Sequence, residues 1–102
     1  MILVRQVFQT QVGRSQELAA MIMQGVAQFR RTAGPDVHGR VLTDLSGPFG
    51  TVVLEIEIES LAEWERLRAA MSANPEGNQG FSSGAPSFTG GYQEFYTIEG
   101  TF

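Results

Sequence analysis

The sequence contains no cysteine, no lysine and a single histidine, His38, among its 102 residues. Without cysteine there is no structural disulfide, no thiolate nucleophile and no cysteine-ligated zinc or iron–sulfur centre. Without lysine, Schiff-base chemistry, a pyridoxal phosphate anchor and the P-loop lysine are excluded. One imidazole rules out sites built on two or three. Long apolar runs are missing as well: Leu18 to Met23 falls far short of the ~20 residues a membrane span needs, and no basic segment precedes it as in a signal peptide. The cytoplasm is the expected compartment. Positive charge is scarce, seven arginines against eleven acidic side chains, and the net charge of −4 has the wrong sign for nucleic acid or an anionic membrane. Neither is expected as a partner. Flavin, nicotinamide and metal motifs are absent, so no cofactor is expected.

What is present suits one domain spanning residues 1–102. A hydrophobic content of 42% with 10% aromatics is enough to bury roughly two thirds of the unfolded surface. Residues 2–10 are rich in β-branched and aromatic types and free of Gly and Pro, which predicts a first strand ended by Gly13. Leu18, Met21, Ile22, Val26 and Phe29 recur at helical spacing between Ser15 and Thr32, and Gly34-Pro35 stops them. A second strand is expected over 37–45 and a third over 50–59, joined by Ser46-Gly47-Pro48-Phe49. The third places Val52, Leu54, Ile56 and Ile58 on one side and Thr51, Val53, Glu55, Glu57 and Glu59 on the other. Ser60-Leu61-Ala62-Glu63 is a capping box that opens a second helix, with Leu61, Trp64, Leu67 and Met71 on one stripe until Asn74-Pro75. The Gly- and Ser-rich stretch 76–91, with Phe81 and Phe88 as apolar anchors, reads as a mobile lid or as a long connection. Residues 92–99 predict a last strand.

This order gives a ferredoxin-like βαββαβ α+β sandwich, an antiparallel four-stranded sheet in spatial order 4-1-3-2 with two helices on one face. One helix layer covers one sheet face. The other face must tolerate water, meet a partner or line a ligand site.

The short turn between the second and third strands fixes their register. Pairing Leu45 with Gly50 sets Arg40 across from Glu55, His38 across from Glu57 and Val41 across from Leu54. A slip by one residue would set Arg40 against Ile56, so the hydrophobic pattern supports the register. His38, Arg40, Glu55 and Glu57 therefore form a polar cluster on the open face. In the functional reading, Glu57 readies His38 for proton transfer as a base and the other three contact a ligand. In the plainer reading the same residues are cross-strand ion pairs worth ~0.2–1 kcal/mol each, which is common on sheets and carries more weight here. No Gly-x-Ser-x-Gly elbow accompanies the histidine. Glu55, Glu57 and Glu59 lie ~6.5–7 Å apart along one strand, too far to share a metal ion without other ligands. Trp64 at core spacing is more often core than a stacking platform for a ligand, although it remains a candidate ligand contact.

Phe8-Gln-Thr-Gln-Val-Gly13 followed by Arg14 and an amphipathic helix resembles the opening of NIPSNAP-like proteins of the dimeric α+β barrel superfamily. Val53-Leu-Glu-Ile-Glu-Ile-Glu-Ser-Leu-Ala-Glu-Trp64-Glu-Arg-Leu-Arg is similar to that family's strand running into a Trp-bearing helix. The resemblance covers about the first three quarters of the chain, and cofactor-independent monooxygenases share the layout. It implies a homodimer in which two sheets pack open face to open face around a barrel with small-molecule clefts. Where family members carry Glu-Leu-Arg-x-Tyr, this chain has Val4-Arg5-Gln6-Val7-Phe8, so the acidic and basic residues are lost and the aromatic survives as Phe8. The resemblance turns Gln6 and Phe8 toward the barrel, making Phe8 a ligand contact, whereas the apolar count turns Ile2, Val4 and Phe8 toward the helices. The facing implied by the resemblance is adopted as the expectation.

The expected protein is thus a small homodimer that binds a small organic molecule in a cleft at the barrel. The alternative is a cofactor-independent monooxygenase or isomerase acting on an aromatic or polyketide-like substrate with His38 as base. A third reading is an interaction module whose open face only makes the dimer.

Overall fold

Among the described residues the elements run β1 (Ile2–Thr10), α1 (Ser15–Thr32), β2 (His38–Thr43), β3 (Thr51–Ile58), α2 (Leu61–Ser72) and β4 (Phe88–Thr97). The structure is a computed structural model that describes residues 1–32, 34, 36–72 and 88–102, with the backbone alone for Thr32, Met71, Ser72 and Phe88. The strands form one antiparallel sheet in the order β2-β3-β1-β4, which is the ferredoxin-like α+β arrangement expected from the sequence. The two most apolar strands, β1 and β3, take the centre, where both edges are hydrogen-bonded. The edges β2 and β4 carry more polar and glycine residues, as exposed strand edges require.

The β2–β3 register is the one the hydrophobic pattern demanded, with His38 opposite Glu57, Arg40 opposite Glu55 and Val41 opposite Leu54. Asp44 closes the hairpin: its Oδ1 accepts the Thr51 N–H at 3.0 Å, and its own N–H donates to the Thr51 carbonyl at 3.2 Å. Gly50 precedes β3 with φ of +78°, and a Cβ there would lie 2.5 Å from the Thr10 carbonyl oxygen, so only glycine fits this crossing of β1.

Two apolar clusters lie between sheet and helices. Val4, Ile56 and Ile58 pack with Phe29, Trp64 and Leu67. Leu18, Ile22 and Val52 form the other, with Phe8, Val26 and Val41 against them. Phe8 therefore faces the helices, correcting the expectation that it turns toward a barrel. The reason is the pairing of β1 with β3: its even positions, Ile2, Val4 and Phe8, lie opposite Ile58, Ile56 and Val52 and share their buried face. Gln6 is a polar member of that face, and its amide donates to the Gln93 side-chain oxygen at 2.8 Å across the sheet. Two further expectations change. Leu61, the first residue of α2, is 57% exposed rather than on its buried stripe. Residues 88–91 are strand, so β4 begins four residues before the expected 92; the rest of the supposed lid, 76–87 with Phe81, lies outside the described residues.

Candidate functional site

Alternation along each strand and the three registers together define the sheet face turned away from the helices. It is built of rows that cross all four strands. One row runs Arg40, Glu55, Arg5, Glu94 from β2 to β4, and a neighbouring row runs Leu42, Val53, Val7, Tyr92. A third runs His38, Glu57, Leu3, Tyr96.

The charged row alternates in sign and is bonded along its length. Glu55, only 6% exposed, accepts from Arg40 Nε through Oε1 at 2.6 Å and from Arg5 Nε through Oε2 at 3.0 Å. Arg5 Nη1 reaches Glu94 Oε1 at 3.0 Å, and the Tyr96 hydroxyl donates to the other Glu94 oxygen. The Glu94 carboxylate accepting that hydroxyl, reinforced by partial burial and by its negative charge, raises the Tyr96 phenol above its ordinary range despite the opposing Arg5. A carboxylate as enclosed as Glu55 is tolerable only because both oxygens have cationic donors. In the apolar row Val7 and Val53 are buried, while Leu42 and Tyr92 at its two ends are exposed.

His38 and Glu57 sit where β2 begins and β3 ends, and both side chains are exposed. They line a cleft of about 480 Å³ together with Asp36 and with Glu63, Arg66 and Leu67 of α2. Ser60 Oγ accepts the Glu63 N–H at 3.2 Å, while the Glu63 carboxylate turns to Arg66 instead of closing the expected box. The Arg66 guanidinium so bonded holds the Glu63 carboxyl below the usual carboxylate range. Among the described residues no group of three potential ligands gathers to hold a metal ion.

The structure thus brings His38, Arg40, Glu55 and Glu57 to one face and places the other two candidates elsewhere. Phe8 belongs to the helix side. Trp64 is 3% exposed, packed in the core with its ring edge-on to Phe95 at 5.9 Å. Its indole N–H has no acceptor among the described residues. Arg5 and Glu94, which complete the charged row, and Tyr96, which bonds to Glu94 from the neighbouring row, were missed by reading the sequence. The available signal was parity: Arg5 occupies the opposite phase of β1 from Ile2, Val4 and Phe8, and Tyr92, Glu94 and Tyr96 alternate with Phe95.

No protein-family model and no curated protein matches the sequence. Solved structures do match in fold. A NIPSNAP domain protein from Burkholderia xenovorans superposes with a TM-score of 0.78 at 14% identity, covering 96% of this chain and 94% of that one. A NIPSNAP family protein from Agrobacterium tumefaciens gives 0.76 at 10% identity, covering 94% and 90%. A proposed antibiotic biosynthesis monooxygenase from Deinococcus radiodurans gives 0.66 at 16% identity, covering 100% and 96%. The chain shares the ferredoxin-like α+β fold of these NIPSNAP proteins.

Proposed function

We propose that the chain is a NIPSNAP-like protein that forms a homodimer through its open sheet face and binds a small organic molecule in a cleft at the resulting barrel. What supports this reading is the open face itself. It exposes apolar side chains at its two edges, Leu42 and Tyr92, beside a charged row whose members are already bonded to one another, so covering it would strand little unpaired charge. A face of that kind against a second copy is self-complementary under a two-fold axis. His38, Arg40, Glu55 and Glu57 would then line the cleft at the β2 side of the barrel. Sedimentation equilibrium at tens of micromolar should return twice the chain mass of 11.1 kDa. The Leu42→Asp, Tyr92→Asp double variant should remain folded by circular dichroism and sediment as a monomer. A monomeric parent chain overturns the reading.

The alternative, a cofactor-independent monooxygenase or isomerase with His38 as base, is favoured by one observation: His38 stands beside Glu57 in the wall of a cleft, in a fold shared with the Deinococcus protein. Oxygen uptake with an electron-rich aromatic or polyketide-like substrate, abolished in His38→Ala and retained in Trp64→Phe, would establish it. No turnover across such a panel leaves the binding reading.

A further inference from the structure

The helix side of the sheet is not covered evenly. The helices lie mainly against β2 and β3, whereas on β4 the residues of the same face, Gln93 opposite Gln6 and Phe95 opposite Val4, remain exposed. A strip beside α2 is thus open to solvent. Gln6, Gln93 and Phe95 floor it, and Trp64 of α2 bounds it, its ring meeting Phe95 edge-on at 5.9 Å. Two polar features of this strip are unexplained by packing. The Trp64 indole N–H is buried with no acceptor among the described residues, a state that native interiors avoid because the donor has given up water for nothing. Gln6 interrupts the apolar series Ile2, Val4 and Phe8, and after its amide has donated to Gln93 Oε1, Gln6 Oε1 and Gln93 Nε2 have no partner among the described residues. None of the four side chains is charged. The four charges on α2 are paired on the helix itself, Glu63 with Arg66 and Glu65 with Arg68.

We propose that this strip is a second ligand site, separate from the His38 cleft, for a neutral planar molecule that carries a lactam edge. Its ring lies along Phe95, its carbonyl accepts from the Trp64 indole N–H and from Gln93 Nε2, and its own N–H donates to Gln6 Oε1. Phe95 is the exposed side chain that meets the indole, and its rotation admits the carbonyl. Gln93 and Phe95 stand ~6.5–7 Å apart along β4, about the length of two fused rings. Charge selects against the other ligand classes: an anion meets no free cation in the strip, a cation meets no carboxylate, and a hydrocarbon leaves the indole N–H as it was. The assignment does not depend on the dimer, which uses the opposite face.

2-Quinolinone, its N-methyl derivative and 2-naphthoate test this on the intact chain, by proton and nitrogen-15 NMR titration of the parent, Trp64→Phe and Gln93→Ala forms. Gln93 is exposed on an edge strand, so its variant folds even if Trp64→Phe does not. 2-Quinolinone should move the Trp64 indole N–H signal downfield together with the Gln6 and Gln93 side-chain amides. Each variant should weaken it about tenfold, and N-methylation, which removes the ligand's donor, by a similar factor. Naphthoate should leave these signals in place. An affinity unchanged in either variant, equal binding of the N-methyl derivative, naphthoate binding as tightly as the lactam, or no binding at millimolar lactam overturns the proposal. Shifts confined to Val7, Tyr92 and their neighbours overturn it as well, because they put the ligand on the opposite face. An indole signal already at a hydrogen-bonded position in the free chain and unmoved by ligand shows that the N–H has an acceptor within the protein, with the same consequence.

Discussion

The two faces of the sheet are made from the same four strands yet solve opposite problems. The helix-covered face is almost wholly aliphatic and aromatic, with Val4 and Val52 at 0% exposure, and is stabilised by removing apolar area from water at ~25 cal/mol per Å². The face turned away from the helices buries a carboxylate instead, and holds it with two guanidinium groups. On the first face identity matters little so long as volume is conserved. On the second, each partner is needed, because a donor or acceptor left alone there is penalised at once. The charged row therefore keeps the face wettable in the free chain without making it impossible to cover.

Substitutions at four positions probe that contrast. Trp64→Ala should have the largest effect, about 3–5 kcal/mol, read as a lowered denaturant midpoint with unchanged slope. Trp64→Phe should cost far less, because it keeps an aromatic ring against Phe95 and removes an indole N–H that has no acceptor among the described residues. If the two variants are equally destabilised, Trp64 is not held by packing. Gly39→Ala comes next, at about 1–3 kcal/mol, because a Cβ at that position would lie 2.0 Å from the Glu55 carbonyl oxygen and would force β2 off β3. Loss of amide exchange protection confined to β2 and its partner is the expected signature. Glu55→Gln tests the open face: it leaves two arginines with a neutral acceptor, and a cost of about 1–3 kcal/mol that shrinks in high salt is expected. A salt-independent loss would mean that packing, not charge, holds the row. The smallest effect is spectroscopic. Glu94→Gln should lower the titration midpoint of Tyr96, read from the tyrosinate absorbance. Because the folded-state value is raised, the stability that this bond contributes is present below the unfolded tyrosine value and is lost as pH rises through the folded one. A midpoint that stays in place would separate Tyr96 from the row.

The elements that could be read from the sequence are those specified by near neighbours. The spacing of Leu18, Ile22 and Phe29 marks α1, the alternation of Val52, Leu54, Ile56 and Ile58 marks β3, and the short 44–50 turn ties β2 to β3 so closely that a slip would bury Arg40. That local logic delivered half of the charged row, Arg40 with Glu55, and the His38–Glu57 pair. It also made the helix-facing side of the third strand readable.

The other half depended on contacts between distant parts of the chain. Arg5 meets Glu55 across 50 residues and Glu94 across 89, so no local pattern fixes which of them lie opposite. The facing of β1 was decided by the same long-range pairing: once Val4 lies against Ile56, burial of Ile2, Val4 and Phe8 outweighs Gln6 on that side, which bonds to Gln93. Composition alone excluded thiol, Schiff-base and multi-histidine chemistry, and periodicity alone set the order of elements and the fold class. The core placement favoured for Trp64 from its spacing is what the structure shows, whereas only the tertiary structure decided that Phe8 turns toward the helices and that Arg5, Glu94 and Tyr96 join the open face. The physical reason is that hydrophobic period acts within a strand or helix, whereas a buried charge takes its partners from whichever strands the finished sheet sets beside it.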